Sequence, residues 1–356
     1  MADPGNRDAR NPPRLGFLGT GWIGLHRMQR IAESGAAEVA IICDSSPDML
    51  AQAAKNFPTA KQATSFDEIL GFDLDGLVIA TPSALHAEQT LRALDQGLAV
   101  FCQKPLGRNA LEVASVVHKA QAVNRLLGVD LSYRFTEAMR HISAKLSAGE
   151  IGEVYACELV FHNAYGPDKP WFYDRELSGG GCVIDLGIHL LDLALWALGF
   201  PEATEVSSSL FAKGKPLVDG EVEDYATATL RLNSGAVVRL ACSWRLPVGY
   251  EALISAVFYG TKGGLSLSNV NGSFYDFVAE QFRGTSRVRL ASPPDDWGGR
   301  AAIVWTKQLS TKACFDPDIV HAIYVAQLLD AIYAAGNKSH SIPAPRKYSS
   351  SGCPGS

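Results

Sequence analysis

The sequence lacks the features that mark several classes of protein. It has no CxxC pair and no Cys/His cluster at metal-ligand spacing, so nothing in it predicts a zinc site or a thiol redox motif. It also has no block of Lys and Arg, and its formal net charge is only -5, which argues against a nucleic acid or an anionic membrane as a partner. We therefore expect a small polar ligand and no metal.

A secretion signal and a membrane span are missing as well. Residues 1–13 are polar and rich in Pro, without the apolar region of a signal peptide. The longest apolar helix candidate, residues 183–200, is interrupted by three ionisable residues, and we expect it to be too polar to span a bilayer. The seven cysteines are far apart and are interpreted as reduced core thiols. These observations predict a cytoplasmic protein, with a disordered tail at 1–13 and a flexible tail at 348–356.

The remaining chain divides into two regions, as its length of 356 residues suggests. Residues 14–134 alternate apolar runs with amphipathic stretches, which is typical of an α/β Rossmann domain with a doubly wound parallel sheet. In residues 135–347 strand-like runs follow one another with few helices between them. This pattern predicts an α+β domain with a large open, mostly antiparallel sheet. We expect a terminal helix over 318–336 to pack back on the body.

A glycine-rich turn follows the first predicted strand. The run GFLGTGWIG holds Gly19, Gly21 and Gly24 in the spacing GxGxxG, at the start of a predicted helix over 22–32. The first two glycines permit a tight turn and close contact of backbone N–H groups with a pyrophosphate, and the third lets helix and strand approach. The motif therefore predicts a dinucleotide site, against the alternative of an ordinary Gly-rich turn.

An acidic residue ends the next strand and indicates which dinucleotide binds. Asp44 lies 20 residues after Gly24, where a carboxylate would bind the ribose hydroxyls. A carboxylate repels a 2′-phosphate, so Asp44 favours NAD. The neighbouring Ser45 and Ser46 keep NADP possible.

Three ionisable residues lie on an otherwise apolar predicted helix. Asp185, His189 and Asp192 are spaced i, i+4 and i+7, so they share one face. A hydrogen-bonded core histidine with carboxylate partners would explain them without any function. The glycines at 179–181 would leave room for a ligand, which favours a site.

The run CQKPL places Lys104 at the end of a predicted strand. It is either a solvated surface lysine or a catalytic group, because open α/β sheets bind ligands at the carboxyl ends of their strands. The nucleotide loop and the Asp/His helix favour the catalytic reading. We also predict that the Lys104–Pro105 peptide is cis.

Together these motifs resemble the Gfo/Idh/MocA oxidoreductases, the glucose-fructose oxidoreductase and inositol dehydrogenase group. The motifs that carry the resemblance are GFLGTGWIG, IATPSALH, CQKPL, YRF with GEIGEV, and GGGCVIDLGIHLLDLALW. The resemblance runs from Arg14 to about Trp196 and continues more loosely to the terminal helix. It implies an NAD(P)-dependent enzyme that acts on CH–OH groups of a sugar, sugar acid or cyclitol. It also implies a homodimer or homotetramer built on the exposed face of the C-terminal sheet.

The resemblance also assigns roles to residues. The catalytic residues would be Lys104, Asp185 and His189. The cofactor contacts would be Gly19, Gly21, Trp22, Ile23, Gly24, Asp44, Ser45, Thr81, Pro82, His86, Gln103 and Lys104. The substrate contacts would be Lys104, Tyr133, Arg134, Trp171, Asp185 and His189. The family's glutamate before the lysine is Gln103 here, which removes a charge but keeps a hydrogen-bonding side chain.

These residues suggest how an alcohol would be oxidised. His189 is the best candidate base, because an unperturbed imidazole has a pKa of roughly 6.5. Asp185 could orient the imidazole or pass the proton on, and Lys104 would hydrogen-bond the same oxygen as His189. Other candidates for the pocket wall, each equally explained as surface or core, are Tyr165, Trp171, Tyr173, Arg175 and Trp244.

Two other functions fit the same motifs. An NAD-dependent glycosidase would use hydride transfer transiently and regenerate its cofactor in each turnover. A cofactor-binding sensor would use the fold without redox turnover, although intact Lys104, Asp185 and His189 argue against it.

Overall fold

The computed structural model describes residues 12–336. The predicted C-terminal tail, residues 337–347 of the predicted second domain and nearly all of the predicted N-terminal tail lie outside the described residues. Within them, the chain forms a six-stranded and a nine-stranded sheet with helices packed on both.

The first sheet is parallel throughout and has the strand order β3-β2-β1-β4-β5-β6. Its strands are β1 Arg14–Leu18, β2 Glu38–Cys43, β3 Lys61–Ala63, β4 Gly76–Ile79, β5 Ala99–Cys102 and β6 Leu127–Val129. The helices between them are α1 Trp22–Glu33, α2 Pro47–Asn56, α3 Phe66–Leu70, α4 Ser83–Asp95 and α5 Ala110–Ala122. The order reverses between β1 and β4, and ligands bind at the carboxyl ends of strands beside such a reversal. The predicted doubly wound sheet is confirmed.

One face of this sheet is closed by a helix from the far end of the chain. Helix α9 spans Arg300–Thr311 and packs its Trp305 on Phe101, with ring centroids 5.6 Å apart. The approach requires Gly128, since a Cβ there would lie 2.7 Å from the Trp305 ring. The predicted boundary therefore needs a correction, because α9 follows residue 135 in sequence and yet completes the core of the first domain.

The second sheet has the strand order β15-β14-β13-β12-β7-β11-β10-β8-β9. Its strands are β7 Val154–Asn163, β8 Ala203–Ala212, β9 Lys215–Pro216, β10 Tyr225–Leu232, β11 Val237–Ser243, β12 Ala252–Gly260, β13 Gly263–Asn269, β14 Phe277–Arg283 and β15 Ser286–Ala291. All neighbours are antiparallel except β7 and β11, so the prediction of a mostly antiparallel sheet is confirmed. The inner face is apolar, and the helices of this half are α6 Glu137–Ser147, α7 Arg175–Ser178, α8 Ile188–Ala197 and α10 His321–Gly336.

The segment predicted as an apolar helix over 183–200 has two parts. Val183–Gly187 form a π-helical turn, and α8 continues from it. By length and composition the stretch Arg175–Ala197 could cross a membrane, as could Pro317–Gly336, so the expectation that residues 183–200 are too polar was wrong. An apolar 18-residue window of Arg175–Ala197 is 78% buried inside the protein, which is the environment of a core helix. Pro317–Gly336 contains α10, which packs on α5 and β8 as expected of the terminal helix.

Candidate active site

A cavity of about 660 Å³ lies at the carboxyl ends of the first sheet. Its walls come from both halves of the chain. They include Trp22, Ile23, Thr81, His86, Gln103, Lys104, Tyr133, Trp171, Asp185 and His189. The cavity thus brings together most of the residues that the sequence predicted for cofactor and substrate.

The nucleotide loop is shaped by its glycines. Gly19 has φ +89°, and a Cβ there would lie 2.5 Å from the Ala80 carbonyl oxygen. A Cβ on Gly24 would lie 2.1 Å from the Gly19 carbonyl oxygen, so α1 could not approach β1 with any other residue. At Gly21, by contrast, a Cβ would meet no described atom within 4 Å. The loop is tight against the protein at Gly19 and Gly24 and open at Gly21, where a pyrophosphate would approach.

The start of α1 is available to an anion. Gly21 is the N-cap residue, and no side chain of the described residues caps the helix there. Backbone N–H groups and the helix dipole at such an end favour negative charge. Trp22, the first residue of the helix, is 69% exposed at the cavity wall. These features fit the pyrophosphate of a dinucleotide.

Asp44 accepts hydrogen bonds from the same loop. Its Oδ2 accepts the backbone N–H of Thr20 at 2.6 Å, and its Oδ1 accepts that of Ser46 at 2.8 Å. Ser46 in turn caps α2 through Met49 N. A carboxylate has further lone pairs, so these bonds leave capacity for ribose hydroxyls. Ser45 beside it is exposed.

His86 has a supporting role at the cavity wall. The side chain is 1% exposed, and its two ring nitrogens lie 2.6 Å from the Pro105 carbonyl oxygen and 2.7 Å from that of Thr81. Burial lowers the pKa of His86. The ring therefore ties the end of β4 to the end of β5, next to Lys104. The Lys104–Pro105 peptide is cis, as predicted.

Lys104 and Asp185 form an ion pair in the cavity. The Lys104 ammonium donates to Asp185 Oδ1 and to the Asp185 carbonyl oxygen, both at 2.7 Å. The other carboxylate oxygen, Oδ2, accepts from Trp244 Nε1 at 3.0 Å. Trp244 was predicted as a wall residue, but it is outside the cavity lining and its Nε1 supports Asp185.

His189 lines the cavity beside this pair. Its ring packs on Tyr133 with centroids 4.8 Å apart, and no described group hydrogen-bonds its buried Nδ1. Burial, and then the charges of Lys104 and Arg27, lower the pKa of His189 well below its ordinary value. The imidazole is therefore neutral at neutral pH. Among the described residues no hydrogen bond joins Asp185 to the His189 Nδ1, so the contact by which Asp185 would orient the imidazole is not observed.

A second polar cluster adjoins Lys104. Asp130, at the end of β6, is 1% exposed and accepts from Arg27 Nε at 2.6 Å. Gln103 Nε2 and Ser132 Oγ donate to the same carboxylate. All four residues line the cavity. Gln103 was predicted, whereas Asp130 and Arg27 were missed, and only their position after a strand and inside the first helix could have signalled them.

Arg134 and Asp192 form a pair outside the cavity lining. Arg134 pairs with Asp192, through Nε at 2.7 Å and through Nη2, and its guanidinium stacks on Trp196. Neither residue lines the cavity. The prediction of Arg134 as a substrate contact is therefore corrected, and Asp192 does not join Asp185 and His189 at the site. A buried ion pair, without a function at the site, explains the polar residue in this part of the helix.

The glycines at 179–181 allow protein atoms to approach closely, and Gly180 also lines the cavity. A Cβ on Gly180 would lie 2.1 Å from the Tyr333 hydroxyl, and one on Gly181 would lie 1.9 Å from the Glu223 carbonyl oxygen. Glu223 also accepts the N–H groups of Gly181 and Val183 at 2.9 and 3.0 Å. Burial raises the pKa of this carboxyl. The glycines thus seat the π-helical turn that presents Asp185.

Not all of the residues predicted for the pocket wall line the cavity. Trp171 lines the cavity and stacks on Phe172 with centroids 3.8 Å apart. Tyr165 and Tyr173 are exposed and lie outside the cavity lining, as does Arg175. A further wall, residues 295–298, was not predicted, because a Gly-rich turn far from the motifs gives no sign of where it folds.

Among residues 12–336, no group of three or more His, Cys, Asp or Glu side chains is placed to hold a metal ion. Six cysteines in this part of the chain are free, and five of them are buried. The seventh, Cys353, lies outside the described residues.

Known families match both halves of the chain. A model described as an oxidoreductase family with an NAD-binding Rossmann fold matches residues 14–131. A model of the GFO/IDH/MocA C-terminal domain matches residues 139–266. Together they cover most of the chain, and the predicted resemblance is confirmed.

Individual proteins are also similar to this chain. D-glucoside 3-dehydrogenase of Escherichia coli (strain K12) is 27% identical over 275 residues, which cover 72% of this chain and 77% of the relative. Inositol 2-dehydrogenase of Rhizobium meliloti (strain 1021) is 26% identical over 256 residues, with coverage of 72% and 76%. The structure of a levoglucosan dehydrogenase in complex with NADH superposes with a TM-score of 0.77 at 21% identity, covering 91% of this chain and 96% of that one. This last likeness shows the shared fold.

Proposed function

We propose a function from the premise that the chain belongs to the GFO/IDH/MocA oxidoreductase family, with its NAD-binding Rossmann fold. The protein moves a hydride between nicotinamide and a secondary hydroxyl or carbonyl of a sugar or cyclitol, with His189 as acid and base. The observation that carries this proposal is the convergence of Lys104, Asp185 and His189 on one wall of the cavity. The relatives, a glucoside and an inositol dehydrogenase, support the substrate class.

The nucleotide end of the cavity fits the cofactor. When bound, NAD supplies the hydride acceptor, and NADH the donor. The turn at Gly19–Gly24 and the uncapped start of α1 would hold the pyrophosphate, and Asp44 the adenosine ribose. We propose NAD over NADP because Asp44 is a carboxylate. A higher turnover with NADP than with NAD would overturn this preference.

The reacting end supplies the proton chemistry. A neutral His189 accepts the hydroxyl proton as the carbon loses its hydride. The Lys104 ammonium, held in place by Asp185, donates a hydrogen bond to the same oxygen as its charge develops. Asp185 is held by Trp244, so the donor is fixed before substrate arrives.

Charge in the cavity favours an uncharged substrate. Within the described residues, the two lysine and arginine side chains of the lining are paired, Lys104 with Asp185 and Arg27 with Asp130. A sugar acid or sugar phosphate would therefore find no unpaired cation there. Trp171 and Trp297 add aromatic walls of the kind that pack on the apolar face of a sugar ring.

The test is a substrate panel in matched pairs, followed by NADH absorbance. We expect oxidation of methyl glucosides and inositols, and slower oxidation of the corresponding glucuronides and phosphates. His189→Ala should lower kcat by about 10²–10⁴-fold with NAD binding unchanged. No NADH from any polyol would overturn the proposal. Release of free sugar from an aryl glycoside without net NADH would identify hydride cycling instead.

We also propose a cytoplasmic homodimer or homotetramer formed through the outer face of the second sheet. That face carries half-buried Val160, Ala241 and Val257 on neighbouring strands, with Leu253 40% exposed beside them. The free thiols of the described residues support a reducing compartment. Light scattering should give a mass of two or four chains, and Val257→Glu should lower it. Val218→Glu, on an exposed loop, is the control, and a monomer at all concentrations contradicts the proposal.

A further inference from the structure

The cluster around Asp130 has no role in the chemistry described so far. It joins Arg27 from α1, Gln103 from the end of β5, and Asp130 with Ser132 from the end of β6. Arg27 Nε lies 2.6 Å from Asp130 Oδ2, and Arg27 Nη2 lies 3.1 Å from Ser132 Oγ. Gln103 and Ser132 each donate to the Asp130 carboxylate. Asp130 is thus the acceptor on which three side chains converge.

This arrangement fixes the direction of the Gln103 amide. A carboxylate paired with an arginine can only accept hydrogen bonds, so Gln103 must present its NH₂ group to Asp130. The amide oxygen of Gln103 then points away from Asp130. Gln103 lines the cavity and immediately precedes Lys104. An amide without such a partner could present either its oxygen or its nitrogen to a ligand.

The ligand group opposite Gln103 follows from the reaction. In the proposed reaction hydride would pass directly between substrate carbon and nicotinamide, so the ring would lie beside the oxygen that Lys104 and His189 address. The polar substituent of that ring is a carboxamide, whose NH₂ group needs an acceptor. Gln103, next to Lys104, is placed to supply one.

We propose that Asp130 is a positioning residue that acts through Gln103, holding the Gln103 amide oxygen as the acceptor for the nicotinamide carboxamide. The inference rests on the cofactor part of the proposed function. The proposal also accounts for an amide at the position before Lys104. The carboxylate of this cluster is supplied instead by Asp130, which directly follows the neighbouring strand β6. Arg27 balances the charge of that carboxylate inside the protein.

The test compares two cofactors that differ only in this group. 3-Acetylpyridine adenine dinucleotide has a methyl ketone in place of the carboxamide and so lacks the N–H donor. Dissociation constants of NAD and of the analogue would be measured by calorimetry without substrate. We expect the unsubstituted enzyme to prefer NAD by about tenfold, the value of one hydrogen bond in a buried site.

Substitutions then ask whether Asp130 acts through Gln103. Gln103→Met and Asp130→Asn should each reduce the NAD preference to about onefold, and the double variant should be no worse than the poorer single variant. Gln62→Met, on an exposed strand of the same sheet, should keep the full preference. A preference that survives in Asp130→Asn, or losses in NAD affinity that multiply in the double variant, would overturn the inference.

The test still works if Asp130→Asn does not fold stably. Asp130→Glu keeps the charge that Arg27 requires but moves the carboxylate oxygens, and it should reduce the preference even if Asp130→Asn is unstable. A purely structural role would weaken both cofactors equally and leave their ratio unchanged, which would also overturn the inference. Because no substrate is present, an enzyme that oxidises no polyol would refute the proposed function and leave this test intact.

Discussion

The two ends of the cavity are built by different means. At the nucleotide end, Gly19–Gly24 are nearly consecutive, and their fit depends on backbone shape and on the absence of side-chain atoms. At the reacting end, Lys104 and Asp185 are 81 residues apart and are held by charge and hydrogen bonds. The geometry of the nucleotide end depends on the space that missing side chains leave, and the geometry of the reacting end depends on electrostatic interactions. Substitutions at the first should therefore change cofactor binding, and those at the second should change turnover.

The strongest way to separate the two is to remove the ammonium. Lys104→Ala should lower kcat by about 10²–10³-fold, because a preorganised donor to the reacting oxygen is lost, while the NAD dissociation constant stays near its normal value. Stopped-flow NADH formation and calorimetry would measure the two quantities. Lys119→Ala, which removes a surface partner of Asp95, is the matched control. A collapse of NAD binding in Lys104→Ala would show that the two ends are not independent.

Two alanines at the nucleotide end should differ from each other. Gly24→Ala drives a Cβ against the Gly19 carbonyl, so it should destabilise the free protein by about 1–3 kcal/mol and weaken NAD binding. Gly21→Ala meets no described atom, so it should leave the melting temperature unchanged and weaken NAD binding alone. Thermal unfolding with and without NAD would show the difference. Equal melting temperatures for the two variants would contradict it.

A smaller effect is expected one contact away from the reacting end. Trp244→Phe keeps the aromatic packing but removes the Nε1 donor to Asp185. The Lys104–Asp185 pair loses one support, so kcat should fall by less than tenfold and stability by about 1 kcal/mol. Steady-state kinetics and urea unfolding would measure both. An unchanged kcat would show that Lys104 alone fixes Asp185.

The free energy of unfolding should depend little on pH near neutrality and should fall in acid, through His189. Burial lowers the pKa of folded His189 below the 6.5 of the unfolded chain, so on acidification the unfolded chain takes up the proton first. Stability is therefore lost as the pH falls below about 6.5, and His189→Asn should lose less over the same range. Urea unfolding across that range would test this. Parallel curves for the two proteins would contradict it.

The same contrast explains what the sequence could predict. The glycine spacing is local, so the cofactor loop was predicted from GFLGTGWIG in its strand–turn–helix context, together with Asp44 at the end of the next strand. Lys104 was predicted from its position at a strand end, and Asp185 and His189 from their helical spacing, and the resemblance to a family then assigned catalytic roles to all three. That spacing was misleading for Asp192, which pairs with Arg134. Asp130 was missed although it follows a strand, because its partners Arg27 and Gln103 come from another helix and another strand.

Longer-range packing was beyond prediction for the same reason. Alternating strands and helices indicated the first sheet, but periodicity does not show which sheet a later helix covers. Helix α9 has an apolar face that would suit either domain. Its place on Phe101 depends on the missing side chain of Gly128, a fit between segments far apart in the chain.

The position of α9 has a consequence for how the protein is made. Synthesis proceeds from the N-terminus, and domains generally fold as they emerge. The six strands of the first sheet are complete at Val129, yet the apolar face around Phe101 stays uncovered until Arg300–Thr311 leave the ribosome. The nucleotide domain therefore reaches its finished core only after nearly all of the second domain has been synthesised. A fragment that ends near residue 134 would expose that face to water and to other chains.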